Sequence, residues 1–234
     1  MLDKEKQVYD MLGKVYDPEL DQPLTKLGFI DHITICEHHV EVFFRLPTYW
    51  CSPNFAYIMA EDIRKYVSEL EWVKSVHVRL MDHCASEEIS RGASSGTSFG
   101  EVFKHLTDGD LEELRKTFAI KAYYARQEKL LRYLLDQGMK EKEMISLTLQ
   151  QLKQLSLPVE GKLLMEQYLE KKKELNHSSS LAFTTPDDKQ LKEEEFSDYL
   201  LGARRTRMSM EFNACYCQGL LKTRYHLPAA HEVS

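Results

Sequence analysis

The chain has 234 residues and no apolar run approaching the roughly 20 that a membrane-spanning helix needs, so no membrane partner is expected. Its first ten residues, MLDKEKQVYD, contain no hydrophobic signal core, which makes the cytoplasm the expected compartment. Positive charge is not in excess. The formal net charge is -6, whereas phosphate backbones are bound by basic faces, so nucleic acid is not an expected partner. No Gly-Lys-Ser/Thr follows the glycines after residue 90, and neither an HExxH helix nor a Ser-His-Asp order is present. Phosphate-loop, zincin and serine-hydrolase chemistry are thereby set aside. Even cysteine pairing is missing: Cys36, Cys51, Cys84, Cys215 and Cys217 are odd in number. Without a secretion signal they argue against a disulfide framework.

With 43% hydrophobic and 29% charged residues, the composition is that of a folded soluble chain. Val8, Met11, Leu12 and Val15 recur at helical spacing, predicting a helix over 3–16 that Asp17-Pro18 ends. Strands are expected at 29–36 and 39–46, the second alternating Val40, Val42, Phe44 and Leu46 against His39, Glu41, Phe43 and Arg45. Glu37-His38 is short enough for a hairpin. Ser52 suits a helix cap and Pro53 a first helical position, so a second helix is expected over about 53–70, followed by a strand at 73–81. The fold class is therefore α+β: a helix–strand–strand–helix–strand two-layer domain over 1–83, with a mainly helical region after it.

Composition then changes. The Ser/Gly-rich stretch 84–109 reads as a mobile loop. Residues 110–175 read as helices, the first stopping at Gly138, with one or two short ones over 140–155 and another from about Pro158. Residues 176–188 read as a linker, and 189–234 as a helix to about 201 followed by a tail containing Cys215-Tyr216-Cys217.

Four pieces of the first domain, in order, are Val15-Tyr16-Asp17-Pro18-Glu19-Leu20, Leu27-Gly28-Phe29-Ile30, Thr48 through Pro53 with Cys51, and the strand Val73 to Leu80. Together they resemble the iron–sulfur cluster assembly domain of the PaaD and SufT type over residues 1–83. The resemblance implies a maturation factor rather than an enzyme. Such a factor delivers an iron–sulfur cluster or iron, with zinc as the alternative metal, to a client metalloenzyme apoprotein. PaaD-like relatives imply a multicomponent oxygenase as the client. The usual form of the cysteine motif is Thr-x-x-Gly-Cys-Pro; here Trp50 stands for the glycine and Ser52 separates Cys51 from Pro53.

Cys51 is the principal candidate, because the positive end of a helix favours a thiolate. The alternatives are a small buried side chain and the nucleophile of a thiol enzyme. Cys215 and Cys217 share the polar face if the tail is extended and lie on different faces if it is helical. His83 and Cys84 end the third strand, where sites tend to form, although a capping His and a packing Cys fit as well. Cys51, Cys84, Cys215 and Cys217 would supply the four thiolates of a cluster or a zinc site, with His83 as a further metal ligand, if the tail folds back on the first domain. The helical region is expected to recognise the client or to form a homodimer. A non-metal-binding adaptor for the client apoprotein is the alternative.

Overall fold

The structure is a computed structural model in which residues 2–104 and 111–227 are described. These residues form two compact units, one comprising those up to 114 together with those from 211 onward, the other comprising 115–210.

The first unit opens with α1 (Leu2–Leu12), the two-residue strands β1 (Tyr16–Asp17) and β2 (Gln22–Pro23), and the single turn α2 (Leu24–Leu27). Then come β3 (Ile30–Cys36), β4 (His39–Arg45), α3 (Pro53–Val67) and β5 (Ser75–Met81). β3 and β4 form an antiparallel hairpin through Glu37, which takes φ 55°, and β5 adds parallel to β4, giving the order β3-β4-β5. The alternation seen in the sequence is the alternation of burial. Val40, Val42 and Phe44 of β4 and Val76, Val78 and Leu80 of β5 lie buried with Val8 and Leu12 of α1 and Tyr57, Ile63 and Val67 of α3. The α+β class and the two-layer arrangement stand. α1, however, stops at Leu12 rather than 16. Gly13 follows it, and buried Val15 uses its carbonyl to accept the N–H of Leu24, tying the chain to the next element instead of to the helix.

The stretch expected to be a mobile loop is not one over its described residues. It forms α4 (Ser86–Ser95) and α5 (Phe99–Val102), while 105–109 lie outside the described residues. β5 is an edge strand whose free N–H groups need acceptors. Ser90 Oγ accepts from Leu80 N–H and Ser94 Oγ from Val78 N–H, both at 2.9 Å. The serines that suggested a loop are thus set one helical turn apart so that a helix covers a sheet edge.

The second unit contains most of α6 (Leu111–Asp136), then α7 (Glu141–Ser146), α8 (Leu149–Gln154), α9 (Val159–Glu174) and the start of α10 (Phe196–Tyr225). Gly138, at φ 89°, ends the first of these turns where the sequence placed the stop. The expected linker 176–188 is also corrected. Ala182, Phe183 and Thr184 are fully buried in the core with Tyr123, Leu131, Met144, Tyr168 and Phe196. Polar spacing hid this, because the segment satisfies its backbone through side chains: Gln127 Nε2 donates to Thr184 O at 2.9 Å and Tyr168 Oη to Ala182 O at 2.8 Å. The helix expected to end near 201 runs on to Tyr225, so the Cys-x-Cys segment is helical; residues 228–234 of the tail lie outside the described residues. On α10, Arg207 is held by the buried carboxylate of Glu128 at 2.6 Å.

Candidate functional site

The loop between β4 and α3 carries Thr48-Tyr49-Trp50-Cys51-Ser52. Thr48 Oγ1 accepts the N–H of Trp50 (3.3 Å) and lies 3.2 Å from Cys51 Sγ, so one hydroxyl ties both the turn and the thiol. Ser52 sits at the cap position of α3 and Pro53 at its first residue, but the Ser52 side chain makes no capping bond. Its carbonyl instead accepts Ala56 N–H at 3.1 Å. Beside the half-buried thiol, Tyr49 and Trp50 stand out into solvent, edge to face at 4.8 Å, with Trp50 77% exposed.

A second loop, after β5, braces the first. Cys84 N–H donates to Tyr49 O at 3.0 Å. Buried His83 reaches across with Nε2 2.7 Å from Cys51 O and Nδ1 3.1 Å from the N–H of Ala85. A carbonyl on one nitrogen and an N–H on the other define the neutral tautomer protonated at Nε2. Burial lowers the pKa of His83, against the opposing effect of the Cys51 carbonyl, and Arg224 lowers it further. Both ring nitrogens are therefore taken by the backbone in this arrangement. The exposed Cys84 thiol lies 3.9 Å from Nδ1.

The second half of α10 closes the site. Arg224 donates from Nη1 to Leu46 O (3.1 Å) and from Nη2 to Asp82 O (2.5 Å), joining the ends of β4 and β5. Gln218 Nε2 donates to Lys26 O at 3.1 Å, and Leu221 packs beside Gly28. Cys217 lies on this inward side, packed on the core that also holds Cys51. Its thiol is pushed up to about 11, first by burial and then by Asp17, Cys51 and Glu19. Asp17 is buried, with Oδ1 accepting the N–H groups of Glu19 and Leu20 at 2.9 Å each; burial outweighs these bonds and pushes its carboxyl up to about 6.

The structure thus groups Cys51, Cys217, His83 and Cys84 around two loops and one helix. It leaves Cys215 exposed, because two residues along a helix turn the side chain about 200°. Sequence reasoning missed Asp17, read only as a helix stop, although it lies inside a quoted motif. It also missed Arg224, for which the sequence held no signal. Among the described residues no group of three or more His, Cys, Asp or Glu side chains is arranged to hold a metal ion. The described donors of one chain do not complete the four-ligand set of a resident cluster or zinc site. Among the described residues no imidazole is hydrogen-bonded to Cys51 Sγ either, since His83 bonds the Cys51 carbonyl rather than its thiol.

Among the described residues no helix is long and apolar enough to cross a membrane. Searches of curated proteins and of solved structures return no match. Residues 5–79, about a third of the chain, match the family described as iron-sulfur cluster assembly protein, and the rest carries no family assignment.

Proposed function

We propose that the protein is a cytoplasmic maturation factor that assists transfer of an iron–sulfur cluster or iron, as cargo, to a client metalloenzyme. The supporting observation is the placement of Cys51. In the family-matched domain, its thiol is presented on a braced loop between two exposed aromatic side chains and the start of α3. Among the described residues of one chain, Cys51 and Cys217 share a core but complete no metal site, so the remaining ligands of the cargo would come from the client apoprotein or a second copy. The helical unit would engage that partner. A multicomponent oxygenase as client rests on the resemblance to PaaD-type domains alone.

The test is anaerobic purification and reconstitution, with iron, zinc and sulfide measured per chain. Wild type and Cys215→Ser should retain iron that Cys51→Ser loses. Absence of metal before and after reconstitution, with Cys51→Ser fully supporting client activity, would overturn cargo binding. The second reading, an adaptor that holds the apoprotein and no metal, draws support from two features. Both nitrogens of His83 are engaged, and Cys217 is kept protonated. That reading predicts a stable complex with the apoprotein that is indifferent to Cys51→Ser.

A further inference from the structure

A groove of about 750 Å³ runs between β5 and α4, lined by His77 and Arg79 from the strand and by Ser86, Glu87, Ser90 and Arg91 from the helix. That volume lies in the range of small-molecule sites, roughly 300–1,000 Å³. His77 and Arg79 point outward because they occupy the solvent-facing positions of β5. Glu41 on β4 holds Arg79 by Nε at 2.7 Å, which orients the guanidinium and leaves its two terminal nitrogens without a partner among the described residues. Arg91 likewise has no ion-pair partner among them. Ser90 is the telling residue. It is 7% exposed, its Oγ accepts Leu80 N–H, and its own proton meets no acceptor among the described residues.

We infer that this groove is a binding site for a small phosphomonoester whose body carries hydroxyl groups. Two guanidinium groups with free terminal N–H donors, one on the strand and one on the helix that line the groove, match a phosphate in charge and in number of donors. The Ser90 hydroxyl proton on the helix side and the imidazole of His77 on the strand side supply further polar contacts. Glu87, an acceptor, would repel a second phosphate but can take hydrogen bonds from hydroxyls. A sugar monophosphate therefore fits better than a polyphosphate, and it fits better than inorganic phosphate, which leaves most of the groove empty. The site is separate from the Cys51 loop and does not depend on the maturation reading.

Calorimetric titration of the full chain at fixed ionic strength tests it, with ribose 5-phosphate, inorganic phosphate and ribose as probes. Ribose 5-phosphate should give saturable binding, inorganic phosphate weaker binding, and ribose none. Arg91→Gln, on the exposed face of α4, should weaken ribose 5-phosphate at least tenfold while melting at the wild-type temperature. Glu87→Gln should weaken ribose 5-phosphate but not inorganic phosphate. Equal affinity for the two phosphates, unaffected by Glu87→Gln, would overturn the organic body and leave free phosphate as ligand. No saturable heat with either phosphate, or binding untouched by Arg91→Gln, would overturn the site itself.

Discussion

His83 Nε2 donates to the carbonyl oxygen of Cys51 across 2.7 Å, joining the loop after β5 to the loop before α3. The bond is made by a buried ring whose other nitrogen is also occupied, so the ring has one orientation available. Replacing it with alanine leaves a buried Ala85 N–H and the Cys51 carbonyl without their partner. His83→Ala should therefore cost about 1–3 kcal/mol in urea unfolding. Alkylation of Cys51 by iodoacetamide, followed by mass spectrometry, should speed up as the loop loosens. His83→Gln, whose amide can donate to the same carbonyl, should recover part of both effects. Unchanged alkylation in His83→Ala would show that the ring does not hold the thiol loop.

Arg224 binds the carbonyls of Leu46 and Asp82 with two different nitrogens of one planar group. A lysine can reach one carbonyl as a point donor but cannot reproduce the fork. Arg224→Ala should lower stability by about 1–2 kcal/mol, at the low end for charge-assisted bonds because the Asp82 contact is exposed. Arg224→Lys should recover less than half of that. Hydrogen exchange should locate the loss in residues 214–225 and in the ends of β4 and β5.

How much of this was legible depended on whether a residue's role was repetitive. The inward Val40, Val42 and Phe44 and their partners Val76, Val78 and Leu80 repeat every second residue, so their burial could be read directly. Ser86, Ser90 and Ser94 also repeat, every fourth residue. Serine is usually read by composition, however, and hydroxyls that serve an edge strand, as Ser90 and Ser94 do, or the loop after it, as Ser86 does, leave no apolar stripe. Cys51 could be placed at the start of α3 because Ser52-Pro53 marks it. Its neighbours His83, Arg224 and Cys217 come from 32 to 173 residues away, and no local pattern carries such a pairing. Phe183, buried inside a run of Ser, Thr, Pro and Asp, fails for the same reason.

Lys172 is 3% exposed and donates to Thr184 Oγ1 at 2.7 Å, with His177 Nδ1 3.4 Å away and Asp188 Oδ1 3.9 Å away. Burial pushes its ammonium down to about 8, and Asp188 only partly opposes this. The unfolded chain, with an ordinary lysine near 10.5, then holds the proton more strongly than the folded one. The resulting penalty is full below pH 8 and is relieved as pH rises towards 10.5. Tyr123, Tyr168 and Tyr199 in the same core have raised pKa values because of burial, so their effect runs the other way above about pH 10. Urea unfolding of wild type and Lys172→Met at several pH values separates these effects. The stability of wild type relative to the variant should rise between pH 8 and 10, whereas a constant difference would mean that Lys172 titrates normally.

Gly92 and Gly202 both sit inside helices, where glycine costs about 1 kcal/mol relative to alanine. By propensity alone, alanine at either position should stabilise. The surroundings reverse the sign at one of them. A Cβ at Gly92 would lie 2.6 Å from both Tyr57 Oη and Val102 Cγ2. The tyrosine cannot easily yield, because its hydroxyl donates to Thr97 O and its ring packs on Phe99 and Phe103. Overpacking of this kind costs about 1–3 kcal/mol, which exceeds the propensity gain at most of that range. At Gly202, on the exposed side of α10, an added Cβ meets no side chain within 4 Å. Gly202→Ala should therefore raise the melting temperature, consistent with a gain of about 0.5–1 kcal/mol, while Gly92→Ala should lower it. If both alanines stabilise, α4 does not pack against Tyr57 as closely as described.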